Sequence, residues 1–163
     1  MRSVRTVALA GALFSAALLA VSGCGSATAP TPAASANSVS AGFPGYHWLV
    51  VTIGHEGKVT SIPARLNVNL GFSHGGRFLA DDPVNSHSGT FRMTHGGFTT
   101  SALASTAVGY VGHDPVILLS QRAMAAFDDG AHATVKVTRN RLVVSVASYT
   151  LTCRRDGPAG SNL

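Results

Sequence analysis

Charge is what this sequence has least of. Charged side chains make up 12% of its 163 residues, Glu56 is the only glutamate, and Lys58 and Lys136 are the only lysines. Seven acids in all leave little material for paired-carboxylate catalysis. No basic run is longer than Arg154-Arg155, so the concentrated footprint that neutralises phosphates is missing and no nucleic acid is expected as a partner. The chain also lacks a Gly-x-Ser-x-Gly nucleophile elbow, and neither Ser86-His87-Ser88-Gly89 nor His74-Gly75-Gly76 sits in the strand-to-helix context of a hydrolase. The reading is therefore of a protein that is not an enzyme, with no catalytic residues and no cofactor. Cysteine is nearly absent too, with Cys24 and Cys153 alone. What is abundant is apolar surface, 45% of residues. That content can offset the entropy of ordering a core, which excludes disorder of the whole chain, and the length suits one domain.

The first residues read as an export signal. Arg2 and Arg5 precede an uncharged apolar run from Val7 to Val21, long enough for a signal core and short for a membrane span. The run closes on Leu19-Ala20-Val21-Ser22-Gly23-Cys24, which resembles a bacterial lipobox, with an aliphatic residue three before a cysteine and small residues between. The resemblance implies removal of residues 1–23 and lipidation of the Cys24 thiol. Each buried methylene adds about 0.8 kcal/mol, so two or more acyl chains hold a protein on a membrane. The expected location is the cell membrane, lipid-anchored and facing outside the cytoplasm. The mature chain keeps ten basic residues against seven acids, a charge of +3.

Residues 24–42 then form a tether. Gly25 to Gly42 (GSATAPTPAASANSVSAG) carries no charge and no aromatic residue, and cannot build a core. The folded domain is expected over 43–156, with 157–163 a disordered tail. If Cys24 carries lipid, Cys153 has no partner for a disulfide, and stability rests on packing.

Within the domain, period-two alternation predicts antiparallel strands. Trp48 to Ile53 is followed by Lys58 to Ile62, and Leu66, Val68, Leu70 and Phe72 alternate with Asn67, Asn69 and Gly71. Arg77 to Ala80, Phe91 and Met93 with their polar neighbours, and Phe98 to Thr100 continue the pattern. Asp114 and Pro115 suit the cap and first position of a helix whose apolar residues run to Phe127, with Gly130 as its stop. Ala133 to Val137, Leu142 to Val146 and Tyr149 to Cys153 read as the last strands, the phase slipping by one at Ala147-Ser148 through a bulge or a tight turn. The expected fold class is mainly β (α+β), a small curved antiparallel half-barrel with one covering helix.

Laid end to end, these pieces resemble the META domain of HslJ-like heat-shock lipoproteins. The likeness rests on Trp48 and Leu49, on Asn85 with Gly89-Thr90-Phe91, on Leu103-Ala104-Ser105-Thr106, on the Asp114-Pro115 helix, and on Leu142. It implies a half-barrel envelope protein linked to stress, in a family with no established catalytic residues. Many relatives carry a cysteine before the asparagine and another after the threonine. Here Val84 and Tyr110 stand in those places, so no redox role carries over. Asn85, Gly89, Phe91, Ser105, Thr106 and Trp48 are read as structural, with the Asn85 amide fixing a loop by bonding to backbone.

Seven histidines remain, and His55, His74 and His95 each fall in a glycine-containing turn. In a simple meander alternate turns share one end, where three imidazoles could meet and offer a metal site. Local ligand spacing and supporting carboxylates are missing, so exposed turn residues are expected and no metal. Two roles then follow for the domain. It is an interaction module for another envelope protein, or a carrier whose half-barrel encloses an apolar small molecule.

Overall fold

The computed structural model describes residues 42–160. Cys24 and the expected signal and tether up to residue 41 lie outside the described residues, as do residues 161–163. Nine strands and one helix follow in chain order: β1 (Tyr46–His55), β2 (Lys58–Ser61), β3 (Asn69–Phe72), β4 (Arg77–Asp81), β5 (Ser86–Thr94), β6 (Gly97–Ser105), α1 (Pro115–Ala125), β7 (His132–Val137), β8 (Arg141–Val146) and β9 (Tyr149–Pro158).

The sheet closes on itself, which corrects the expected half-barrel. Every strand except β2 takes part in one ring, from β1 through β3 to β9 and back to β1, all pairs antiparallel. Closure depends on the length of β9, which pairs with β1 from His55↔Tyr149 to Tyr46↔Pro158, with register shifts at two points on β1. The alternation that reveals a strand in sequence fades after Cys153, where Arg154, Arg155, Asp156, Gly157 and Pro158 follow. Main-chain pairing carries them regardless, and Ala159 N–H still donates to Gly45 O at 2.8 Å. The ordered part thus runs past the boundary expected at residue 156. Closure removes the edges that an open sheet would expose.

One strand is interrupted where continuity was expected. Leu66 belongs to a 3-10 turn, Ala64–Leu66, and Asn67 sits in the left-handed region at φ 49°, so β3 begins only at Asn69. β2 and β3 accordingly form one broken return strand along the same edge of β1, at Thr52–His55 and Tyr46–Leu49 respectively. The slip at Ala147-Ser148 proves to be a two-residue turn, with Val146↔Tyr149 as the closing pair and Ala147 at φ 47°.

Aromatic residues fill the ring. Phe43, Trp48, Phe72, Phe78, Phe98 and Phe127 are all buried, and Phe72 meets Phe43, Phe98, Phe91 and Phe78 at centroid distances of 4.7, 5.1, 5.3 and 5.4 Å. Each such side chain contributes roughly 2–3 kcal/mol by burial. Trp48 also donates its indole N–H to Phe43 O at 3.1 Å, which locks the incoming chain over the core. At the other end of the ring α1 begins on Asp114, whose carboxylate accepts from Val116 N and Ile117 N. It buries Ser120, Ala123 and Met124, and Phe127 follows one turn later against Phe78 and Phe98.

Candidate functional site

The register defines two ends of the barrel. Residues 42–45, Pro158 and the turns after β3 and β5 share one, called here the terminal end. The β1–β2 turn, the β4–β5 loop and the β8–β9 turn share the far end. His74 and His95 therefore belong to the terminal end and His55 to the far end, because the broken β2–β3 strand spends two sequence segments on a single return. The sharing of one end by all three turns, which a meander would give, does not occur. Among the described residues no group of three His, Cys, Asp or Glu side chains is placed to hold a metal ion. The His55 ring stacks on Tyr149 at 4.4 Å, and its Nδ1 lies 3.3 Å from the Ser148 hydroxyl. His74 packs beside Gly45, where any Cβ would strike the imidazole.

Two of the residues that carry the family likeness, Asn85 and Thr106, are brought together as a brace. Asn85 Oδ1 accepts from Val108 N at 2.8 Å and from the Thr106 hydroxyl at 3.2 Å, while its Nδ2 donates to Val108 O at 3.2 Å. The amide imitates a strand partner for a segment that has left the sheet. Thr106 in turn accepts from Ser86 N at 3.0 Å. Beneath, the buried Asp82 holds the loop with one oxygen, which accepts from Val84 N and Asn85 N at 2.8 and 2.9 Å. Its other oxygen faces His87 Nε2 at 3.7 Å. Ser105 donates to Thr106 O at 3.0 Å and joins no other cluster of side chains.

Gly89 serves the adjacent bulge. Between Ser88 and Thr90 of β5, strand β6 spends two residues, Ala102 and Leu103, where β5 spends one, and Ala102 turns left-handed at φ 52°. A Cβ at Gly89 would lie 2.8 Å from both Ser101 O and Leu103 Cδ2. Phe91, one side-chain period on, is half-buried against Phe72, Phe98 and Phe43. With their polar atoms used on backbone and their rings used in packing, these residues position a loop.

Sequence reasoning missed one concavity. At the far end a groove of about 710 Å³ runs between the β1–β2 hairpin and α1, walled by Val59, Thr60 and Ser61 on one side and by Pro115, Val116 and Leu119 on the other. Lys58 and Arg122 border it with His55 and Glu56. Val59 is 71% exposed, an apolar side chain with nothing over it among the described residues. Its signal in the sequence was a short strand with three polar residues out of four, which reads as ordinary surface. Cys153, in contrast, is buried in the barrel, and desolvation pushes its thiol well above the ordinary range.

A family model, described as META domain, matches residues 41–156, nearly the whole described part of the chain. The chain belongs to the META domain family. No curated protein matches the sequence. Two solved structures share the META-domain chain's fold. An NMR structure of a protein from Burkholderia xenovorans superimposes with a TM-score of 0.54 at 14% identity, over 70% of this chain and 83% of that one. A second NMR structure gives 0.52 at 19% identity, over 69% and 90%. Both likenesses concern the fold alone.

Proposed function

We propose that the chain is a lipid-anchored envelope protein whose META domain is a non-catalytic interaction module, with the groove beside α1 as its contact surface. The observation that carries the reading is the groove's position. It opens at the far end of the barrel, while Gly45 and Ala159 close the terminal end. A tether running from Cys24 to the terminal end leaves the groove pointing away from the membrane, toward other envelope components. The aromatic rings packed inside the barrel support this reading over a carrier, which needs an apolar space there. The non-catalytic reading rests on the sequence's shortage of acids and on Asn85 and Thr106 being committed to backbone.

Two experiments test it in intact cells. Cys24→Ser in the full chain is expected to move the protein from the membrane fraction to the soluble one, and retention in the membrane would defeat the anchoring claim. Photo-crosslinking side chains placed at Val59 and Leu119 are expected to give a discrete adduct that the same group at His95 does not. Identical adducts from all three positions would defeat the assignment of the groove.

A further inference from the structure

Among the described residues, closure of the ring leaves one short strand, β2, outside it. β2 pairs with β1 and with no other strand, so its outer edge faces the groove unpaired among the described residues. Ile62 N–H donates to Val51 O at 2.9 Å, and backbone groups two residues apart in a strand point the same way. Thr60 and Lys58 therefore turn their amides to β1. Val59 and Ser61 turn theirs outward, two N–H and two C=O groups set in a row at the groove's wall. An added strand would bond to them and lay its side chains against Val116 and Leu119 on α1.

Charge selects the occupant. Lys58 and Arg122 border the groove, Arg122 is tied through Nε to Leu118 O at 3.1 Å so that its terminal nitrogens stay available, and the one acid on the lining, Glu56, has a side chain 82% exposed at the hairpin tip. A second copy of this chain paired edge to edge through Val59 and Ser61 would bring a second Lys58 and Arg122 to the groove with no acid but the exposed Glu56 to meet them, so like charges would gather there. We infer that the groove takes an extended, acidic segment of another envelope protein by strand addition to the β2 edge, a reading that rests on the groove being the contact surface.

The test uses the full chain, ¹⁵N-labelled and held in lipid nanodiscs, titrated with the capped peptides acetyl-(Glu-Val)₃-amide and acetyl-(Lys-Val)₃-amide. The acidic peptide is expected to shift the Val59 and Ser61 amides and the basic one to leave them in place. Charge reversal of Lys58→Glu with Arg122→Glu is expected to exchange the preference. Ser61→Pro removes an outward N–H and none that faces β1, and is expected to weaken binding at least tenfold while the amide spectrum of the other strands is unchanged. Unmoved Val59 and Ser61 amides up to millimolar peptide, or equal affinity for both peptides, would overturn the inference. So would a shift of the same amides with protein concentration alone, which would give the edge to a second copy. If crosslinks from Val59 and Leu119 persist while the peptide fails, strand addition falls and the contact surface stands. If both fail, both fall.

Discussion

At Gly89 a single missing carbon decides whether the β6 bulge can form. The Ser101 and Ala102 carbonyls press to 2.8 and 2.9 Å of where a Cβ would stand, and backbone cannot give way as a side chain can. Gly89→Ala is expected to cost about 1–3 kcal/mol in denaturant unfolding, with Asn85→Ala close to 1 kcal/mol because its bonds are partly solvated. Equal effects from the two would deny the bulge its special demand. Cys153 yields a pH dependence. Its folded thiol is held above the ordinary value of 9.0 by burial, so the folded state keeps a proton that the unfolded chain releases. The resulting stability is complete below about pH 9 and is lost as pH rises, by about 1.4 kcal/mol for each unit. Unfolding curves between pH 8 and 10.5 are expected to fall more steeply for the native chain than for Cys153→Ala, and parallel slopes would show the thiol to be accessible. Residue roles of this kind were legible in part. Asn85 as a loop brace followed from what an amide can bond, whereas the need for glycine at 89 arises from a bulge on another strand that no local pattern announces.

Strands and helix were legible wherever one face is buried, because burial imposes a period. β4, β7 and β8 alternate in and out of the core and stand where the pattern put them. The helix was legible from its cap, since Asp114 accepts from two amides of the first turn. What escaped was carried by main-chain bonds or by torsion: the break at Asn67, the run of β6 beyond its bulge, and the last residues of β9. That last piece bears on closure. Truncation after Asp156 removes the Tyr46↔Pro158 and His47↔Gly157 pairs and the Ala159 bond to Gly45, next to the buried Phe43. The truncated chain is expected to lose about 1–3 kcal/mol and to show faster amide exchange at Tyr46 and His47. A chain of unchanged stability would mean that the ring is held shut by Trp48 to His55 alone.

The whole molecule has a direction that none of its parts has. Both described chain ends meet at the terminal end, where Ala159 bonds to Gly45, and β1 carries the fold from there to the far end over ten residues. At about 3.3 Å per residue, with barrel strands tilted by about 40°, that is roughly 25 Å along the barrel axis. On the proposed Cys24 anchor, the chain would enter the domain at the terminal end, a barrel's height from the groove. A fluorophore on His95→Cys, in the terminal-end turn, is therefore expected to be quenched more strongly by headgroup nitroxides in vesicles than one on Arg122→Cys beside the groove. Cys153 does not compete for the label, being buried and protonated. Equal quenching would mean that the anchored domain presents no fixed face to the membrane. The groove would then owe its role to chemistry alone, since the fold would no longer hold it toward its partners.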